Sequence, residues 1–479
     1  MSTELFTEQT ISMFSTFLKG EEGLKGEFGI LTLQAVLSKM TTKQLELLFQ
    51  IDCSGSMQDK CSDGRTKMQH TLHTLKNMIH FLKENPSLKV QITIHAFDEK
   101  IYKIVDHTPV NEDTCDQILL KIETIRPRNA TNIEKALKDV NEYFTSLQDD
   151  CEKVSIFMTD GQATAGNQSN SHLRSCVNDS ITNIFIGFGL DHDARLLKTI
   201  SSGEKSSYYF IDKLENAGLV YGEILHALIY KFLEKVTISV TNGLIYDYKT
   251  NTWTTSLYVG NIVSEASKFY QLTSESPAEC VVQVTGFKVD DDIEFTTIVP
   301  VQEEPVDLTN YMYRQRTQEL LFKVNEFNAE EDIKDMKDLR SKLHDFFEEL
   351  KKYMADNQLE ENILLKNLCD DIYICYRTFG TNYGFMYCAA RECSQGQQRA
   401  YTATQLPDDQ QNVFTRQNAM YRSNAVNDDE EEGDEEEGDK LQHNVSGATQ
   451  TPYRTQTMTG VMRSCSAGAN VDLDEDEEM

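Results

Sequence analysis

The sequence lacks the features of a zinc-ribbon, a membrane-spanning or a nucleic-acid-binding protein. None of its 11 cysteines belongs to a CxxC pair, so neither a zinc ribbon nor a RING-type site is indicated. No stretch approaches the roughly 18 consecutive apolar residues that a transmembrane helix requires. Its 46 basic residues are outnumbered by 77 acidic ones, and the formal charge of -31 argues against binding to a nucleic-acid backbone.

The first residues also lack the parts of a secretory signal. MSTELFTEQTISMF has no basic start, no apolar run and no small-residue cleavage site. The cysteines are odd in number and irregular in spacing, which favours reduced thiols over a disulfide framework. We therefore expect a soluble, cytoplasmic protein that does not bind membranes. The apolar fraction of 39% is sufficient for folded cores over most of the 479 residues.

Short apolar runs alternate with amphipathic stretches from residue 45 to residue 232, as they do in β/α units around a largely parallel sheet. The predicted strands are 45–52, 89–97, 153–160, 181–189 and 207–211. The predicted helices are 65–84, 112–124, 132–147, 169–178, 191–201 and 213–232. This order predicts a doubly wound, Rossmann-like α/β domain, in which loops at the carboxyl ends of the strands form the site.

Different patterns flank this domain. Residues 235–300 alternate as antiparallel strands do, and 29–40 has the same character, which predicts one β unit with the α/β domain inserted in it. Helical spacing returns after residue 307, and acidic runs such as DDEEEGDEEEGD indicate a disordered tail. The predicted divisions are 1–24, an amino-terminal helix or extension; 25–44, one or more strands pairing with the β unit; 45–234, the α/β domain; 235–304, an antiparallel β-sandwich-like unit; 305–395, a helical bundle; and 396–479, the acidic tail.

Polar side chains follow the first predicted strand, where LELLFQID leads into CSGSM. Asp52, Ser54 and Ser56 occupy alternate positions there, so a strand end that turns into a loop can aim all three into one crevice. Thr131 comes just before a predicted helix, and Asp160 ends the third predicted strand. One carboxylate and two hydroxyls on the first loop are hard oxygen ligands with too little charge for a closed cage. They suit a Mg²⁺-like ion that keeps waters and takes an outside oxygen.

These residues resemble the metal ion-dependent adhesion site (MIDAS) of the von Willebrand factor type A (vWA) domain, in which D-x-S-x-S is followed by a Thr and then an Asp. All five positions are matched, by Asp52, Ser54, Ser56, Thr131 and Asp160. The resemblance implies that the three hydroxyls bind Mg²⁺ or Mn²⁺ directly and that the two carboxylates often act through water. It also implies that an Asp or Glu of a protein partner completes the coordination. One departure is NAT, which stands where many members have a Gly before the Thr.

The expected function is non-catalytic, cation-dependent binding of a partner protein, as in a scaffold or adaptor, because no recognisable nucleophile and base accompany the site. A phosphotransferase-type enzyme is the alternative from another class, since Asp52 lies where a phospho-aspartyl nucleophile would. That chemistry usually has a second acid two residues on, and here Ser54 occupies that position. A structural assembly protein in which the metal is secondary is a third possibility.

Two further features have a structural interpretation and a functional one. His95 and His107 could serve as bases, but each lacks a partner pattern, and a hydrogen-bonded structural histidine is the more common case. The acidic runs could bind basic proteins, although a solvating tail is their commoner meaning.

Overall fold

The structure, a computed structural model, contains three β-sheets and a series of helices. The described residues are 6–14, 26–41, 43–61, 63–147, 151–189, 192–289, 293–299, 301, 306–327, 333–379, 382–402 and 451–467. Among these residues, no helix combines the length and the apolar character needed to cross a membrane.

The strands and helices are numbered in chain order. The strands are β1 (Phe6–Phe14), β2 (Glu27–Ala35), β3 (Leu45–Asp52), β4 (Val90–Phe97), β5 (Ile101–Pro109), β6 (Glu152–Thr159), β7 (Thr182–Phe188), β8 (Ser206–Ile211), β9 (Lys231–Thr241), β10 (Leu244–Asp247), β11 (Thr252–Thr254), β12 (Ser256–Val263), β13 (Ser267–Ser274), β14 (Val281–Lys288) and β15 (Ile293–Val299). The helices are α1 (Lys67–Glu84), α2 (Glu112–Ile122), α3 (Ile133–Ser146), α4 (Asn170–Ser175), α5 (Ala194–Ile200), α6 (Ala217–Ile229), α7 (Thr309–Glu326), α8 (Ile333–Asp356), α9 (Ile363–Thr378), α10 (Asn382–Gln397) and α11 (Gln456–Cys465).

The central sheet of the α/β domain has six strands in the order β5-β4-β3-β6-β7-β8. Five of them are parallel, and β5 pairs antiparallel with β4 at one edge. All eight residues of β3 are buried, because helices cover both faces of a parallel sheet. The predicted doubly wound α/β domain is therefore confirmed. Strand β5 was not predicted, since its exposed and buried positions are mixed along IYKIVDHTP and give no clear period.

The β unit consists of two antiparallel sheets that share an apolar core. Their orders are β1-β2-β13-β10-β11 and β12-β9-β14-β15. Inward-facing side chains such as Leu31, Ile238 and Val284 fill the space between them. Strand β2 pairs with β13, with Leu31 beside Tyr270, although more than 200 residues separate them in the chain. The α/β domain is thus inserted between strands of one sheet, as the sequence pattern indicated.

The amino-terminal segment differs from the prediction of a helix or extension for residues 1–24. Residues Phe6–Phe14 form β1, which pairs antiparallel with β2, with Phe14 beside Phe28. Phe6 and Ser12 are buried. The physical reason is that β2 would otherwise present an unpaired edge, and an additional strand satisfies its backbone groups. Residues 1–5 and 15–25 lie outside the described residues.

The helical region, α7 to α10, is present as predicted but packs mainly on the α/β domain rather than on the β unit. One sheet face of that domain carries Phe157, Phe185 and Phe210, which share a core with Phe347 and Tyr387 of the helices. Helices α4 and α5 have only six and seven residues, so they leave much of this aromatic face for the bundle to cover. The β unit contacts the bundle through a smaller cluster at the start of α7.

The prediction of a disordered tail over 396–479 is wrong for two stretches, 396–402 and 451–467. Helix α11 buries Met458, Val461, Met462 and Cys465 against α1 and α6 of the α/β domain. These four positions follow i, i+3, i+4 and i+7 spacing, so an amphipathic stripe forms despite the polar surroundings. Residues 403–450 and 468–479, which contain both acidic runs, lie outside the described residues.

Two glycines allow α11 to approach α6 closely. A Cβ atom on Gly218 would lie 2.6 Å from Ser466 Cα, and one on Gly222 would lie 2.4 Å from Met462 Cα. Both distances are far below van der Waals contact, and the atoms met are backbone atoms that cannot rotate away. Hydrogen bonds add to this packing: Asn77 Nδ2 on α1 donates to Cys465 O at 2.9 Å. The close helix pair therefore depends on glycine at these positions.

We expect Gly222→Ala to displace α11 and to lower the free energy of unfolding by about 1–3 kcal/mol, the usual cost of overpacking. Gly460→Ala is the matched control, because a Cβ atom there meets nothing within 4 Å and alanine favours a helix. Urea unfolding and limited proteolysis near residue 451 would measure both effects. Equal stability and equal cleavage in the two variants would contradict the close packing.

Candidate cation site

Strands β3 and β6 lie side by side and end together at the carboxyl edge of the central sheet, with Ile51 beside Met158. Asp52 follows at the end of β3, and Asp160 comes directly after β6. Thr159 Oγ1 donates a hydrogen bond to Asp52 Oδ2 at 2.6 Å, and Ser54 N donates to Asp52 Oδ1 at 2.8 Å. Both carboxylate oxygens of Asp52 are thus held by neighbours, which orients this side chain.

The two serines lie on the turn that follows β3, where a short 3-10 helix spans Gly55–Gln58. Ser54 Oγ and Ser56 Oγ are 3.1 Å apart, and Ser56 Oγ donates to Asp160 Oδ1 at 2.8 Å. Four of the five predicted site residues therefore form one continuous hydrogen-bonded chain across two strand ends.

Thr131 reaches the same place from the loop before α3. That loop is fastened to the first by backbone hydrogen bonds, from Gly55 N to Asn129 O at 3.0 Å and from Arg128 N to Cys53 O at 2.7 Å. A Cβ atom on Gly161 would lie 3.6 Å from Thr131 Oγ1 and 3.7 Å from Ser56 Oγ. The hydroxyls of Thr131 and Ser56 consequently both face Gly161, and all five predicted residues are brought together.

Two residues that the sequence analysis did not single out hold the Thr131 loop in place. Asp98, fully buried after β4, accepts a hydrogen bond from Asn129 Nδ2 at 2.9 Å, and its backbone carbonyl accepts one from Asn132 N at 3.0 Å. Thr164 Oγ1 accepts a hydrogen bond from Thr131 N at 2.9 Å. Asn129 adopts a positive φ of 58°, a conformation that Asn tolerates better than most residues. The sequence feature that could have identified Asp98 is its position directly after the second predicted strand, 89–97.

Lys67 was also missed, and it changes the electrostatics of the site. It is the first residue of α1, which begins with a capping box between Thr66 and Gln69. Its ammonium group donates to Asp160 Oδ2 at 2.8 Å, and its side chain is only 10% exposed. With both carboxylates ionised, Asp52, Asp160 and Lys67 together carry one negative charge. No sequence pattern pointed to this contact, since 93 positions separate Lys67 from Asp160.

Burial has a large effect on the pKa of Asp52, whose side chain is fully enclosed. Loss of hydration raises the pKa of Asp52 to about 7, and the Asp160 carboxylate adds to the increase, while the hydrogen bonds from Thr159 and Ser54 oppose it. Two acidic groups held close together in a buried place are costly unless positive charge compensates them. The Lys67 ammonium provides part of that compensation.

The donor set fits a small, hard divalent cation. Adjacent oxygen ligands of an octahedral Mg²⁺ ion, with bonds of about 2.0–2.1 Å, lie roughly 2.9 Å apart. The Ser54–Ser56 hydroxyl distance of 3.1 Å is close to that value. Within the described residues, no cluster of three or more His, Cys, Asp or Glu side chains offers an alternative metal site.

The two histidines considered from the sequence lie elsewhere and are paired with carboxylates. His95 Nδ1 is 2.6 Å from Asp139 Oδ2, and His107 Nδ1 is 2.8 Å from Glu46 Oε2. These contacts join β3 and β4 to α3 and to β5, so both histidines have structural partners within the α/β domain.

The chain is similar to several known proteins. Residues 46–222 match the family model of the von Willebrand factor type A domain. The chain is 26% identical over 214 residues to the uncharacterized protein YwmD of Bacillus subtilis, covering 40% of this chain and 92% of YwmD. Among solved structures, a von Willebrand factor type A protein from Catenulispora acidiphila has a TM-score of 0.49 at 13% identity, covering 76% of this chain and 91% of that one. The ArnB paralog VWA2 from Sulfolobus acidocaldarius has a TM-score of 0.49 at 15% identity, covering 82% and 98%.

The raised pKa of Asp52 predicts a pH effect in cation-free buffer. The folded protein keeps a proton on Asp52 up to about pH 7, whereas the unfolded chain loses it near the ordinary value of 3.8. The folded state therefore binds more protons in this range, and the free energy of unfolding falls as pH rises from about 4 to about 7. Asp52→Asn cannot ionise, so its stability relative to the wild type should increase over this range by on the order of 3 kcal/mol. Urea unfolding with EDTA measures it, and a difference independent of pH would contradict the shift.

Proposed function

Because residues 46–222 are a von Willebrand factor type A domain, we propose that this protein is a non-catalytic interaction module that binds an acidic residue of a partner protein through a divalent cation. The hydroxyls of Ser54, Ser56 and Thr131 would hold the cation directly, and Asp52 and Asp160 would act mainly through water. When bound, Mg²⁺ or Mn²⁺ supplies an open coordination position for an oxygen ligand from outside. The observation that carries this proposal is the convergence of these five side chains at one sheet edge.

The charge of the site supports a carboxylate as the outside ligand. With Asp52 and Asp160 both ionised, these two carboxylates and Lys67 carry one negative charge; Asp59, 3.8 Å from Lys67 Nζ, is largely exposed and screened by solvent. A divalent cation would then leave the enclosed site with one positive charge. A single Asp or Glu side chain would neutralise it. Gly55 is exposed and Ser56 is partly exposed, whereas Asp52 and Asp160 are enclosed, so the site is approached from the serine turn.

The burial of Asp52 supports a binding role over a phosphotransferase role. A nucleophilic carboxylate has to present an oxygen to the phosphorus atom, but Asp52 is 0% exposed, and both its oxygens accept hydrogen bonds. Ser54, in the position where a general acid would be needed, contributes a hydroxyl instead. Phosphoester turnover by the purified protein that disappeared in Asp52→Asn would reverse this preference.

The proposal also covers the cellular compartment and further binding partners. Cys53, Cys115 and Cys280, among other cysteines, are free thiols, which supports a reducing compartment such as the cytoplasm. The acidic runs give the chain a second way to contact proteins, because their negative charge favours basic partners. Neither nucleic acid nor a membrane is proposed as a ligand.

Isothermal titration of Mg²⁺ and of Mn²⁺ into the full-length protein tests the cation site. We expect binding by the wild type and its loss in a Ser54→Ala, Ser56→Ala double variant, which removes two of the three hydroxyl ligands. Ser169→Ala, Ser171→Ala is a matched control, because these two hydroxyls are 3.0 Å apart at the exposed start of α4. Titration curves that are the same for the wild type and the Ser54, Ser56 double variant would refute the site.

Lys67 gives a sharper test, because charge balance predicts opposite effects on the cation and on the acidic ligand. In Lys67→Met the site carries two negative charges, so Mg²⁺ should bind about three- to ten-fold more tightly. The cation-loaded site would then be neutral, and an Asp- or Glu-containing peptide should bind more weakly. Titrating Mg²⁺ first and a peptide second measures both affinities.

Two variants control for changes in structure in that experiment. Lys67→Arg keeps the positive charge and should stay close to the wild type, and Lys76→Met removes a partly exposed lysine from the same helix. Parallel changes in cation and peptide affinity in Lys67→Met would contradict the charge-balance argument.

A further inference from the structure

A large cavity lies at the opposite edge of the central sheet from the cation site. It has a volume of about 1200 Å³ and is lined by the first residues of β6, β7 and β8, by β12 and β13 of the β unit and by α7. Small-molecule sites commonly occupy roughly 300–1,000 Å³ and occur preferentially where domains meet. This cavity is large enough for such a ligand and lies where the α/β domain, the β unit and the helices come together.

The charge of the cavity is opposite to that of the chain. Nine Lys or Arg residues and five Asp or Glu residues line it, whereas the whole sequence has a formal charge of -31. Two of these cations have carboxylate partners within the described residues: Lys43 pairs with Glu234 at 3.1 Å, and Lys231 pairs with Glu152. The excess of positive charge therefore lies with the cations that have no such partner.

Three of those cations, which we call the inner cations, are Lys268, Arg314 and Arg399. They donate mostly to backbone carbonyls: Lys268 Nζ donates to Gln397 O at 2.8 Å, and Arg314 Nη2 donates to Gln395 O at 2.7 Å. Arg399 Nη1 donates to Tyr208 O at 2.6 Å. Carbonyl groups satisfy hydrogen bonds but leave the positive charge uncompensated, and buried charges are normally paired.

Among the acidic residues that line the cavity, Glu223 is the one that interacts with the segment carrying an inner cation. It accepts hydrogen bonds from Ala400 N at 2.8 Å and from Tyr401 N at 3.2 Å, next in sequence to Arg399. Three cations against one carboxylate leave two positive charges. Burial lowers the pKa of Lys268 to about 8; Glu223 opposes this decrease, and the two arginines add to it.

One donor at this place has no partner. Arg314 is 1% exposed, and within the described residues its Nε finds no hydrogen-bond acceptor, although Nη1 and Nη2 are both satisfied. An unsatisfied N–H of a buried guanidinium is costly, and an incoming oxyanion is the ligand that such a planar group binds best.

We propose that the inner cations form a binding site for a small anionic ligand that carries a phosphate or carboxylate group. The site is independent of the cation site, from which the full depth of the parallel sheet separates it. The ligand's oxygens would accept hydrogen bonds from Lys268 and Arg314 and would compensate the excess positive charge. The remaining volume accommodates the rest of the ligand beside the tyrosine and glutamine side chains of the wall.

Thermal unfolding and isothermal titration of the full-length protein with tripolyphosphate and with citrate test this proposal. Sodium chloride at equal ionic strength is the reference. We expect a saturable rise in melting temperature with at least one of the two anions, and the stronger anion identifies the preferred group. Lys268→Met should weaken that binding about ten- to a hundred-fold, because it removes a charge-assisted hydrogen bond.

Lys205→Met is the matched control, since Lys205 also lines the cavity but donates to Ser180 O at its exposed edge. Lys268→Arg should restore most of the affinity, which a purely structural role of Lys268 would not require. The effect should persist in EDTA and in the Ser54→Ala, Ser56→Ala variant, which separates it from the cation site. No stabilisation beyond that of sodium chloride, or equal losses in Lys268→Met and Lys205→Met, would overturn the proposal.

Discussion

The parallel register of β3 and β6 is the constraint on which the candidate cation site depends. Because Ile51 lies beside Met158, the two strands end at the same level, and Asp52 meets Thr159 while Ser56 meets Asp160. A shift of one residue would turn each side chain of a strand to the other face of the sheet. The complete burial of β3 makes such a shift costly. The same apolar residues that fix the packing of the sheet therefore also fix the geometry of the site.

The sheet also separates charge between its two edges. At the carboxyl edge, Lys67 pairs with Asp160 beside buried Asp52, so the set, once both carboxylates are ionised, lacks positive charge. At the amino edge, Lys268, Arg314 and Arg399 face Glu223, and the set lacks negative charge. Each set is incompletely compensated by the chain itself, which is why we infer an outside cation for the first and an outside anion for the second.

Much of the α/β domain could be predicted because its signals are local. Continuous apolar runs identify buried strands, and the polar residues that follow β3 and β6 identify a strand-end site. The contact of Lys67 with Asp160 could not be predicted, since it depends on where α1 begins relative to a strand 93 positions away. The role of Asp98 also depends on tertiary contacts. A sequence pattern alone predicts neither the contact of Lys67 with Asp160 nor that of Asp98 with the Thr131 loop.

The carboxyl-terminal helix was missed for a different reason. The spacing of Met458, Val461, Met462 and Cys465 is visible in the sequence, but the polar and acidic composition around it suggested a segment that could not fold. A short amphipathic stripe can be stable when a preformed surface receives it. Here Gly218 and Gly222 of α6 provide that surface. The sequence around either glycine does not predict that another helix packs there.

Anomalous diffraction from crystals grown with Mn²⁺ tests the central claim most directly, because it locates the cation without assuming a ligand set. The account predicts one strong anomalous peak at the carboxyl edge of the central sheet, within about 2.2 Å of the hydroxyls of Ser54, Ser56 and Thr131. It also predicts a coordination position that faces away from the protein. A peak held by other residues, or no peak at this edge with Mn²⁺ in excess, would contradict it.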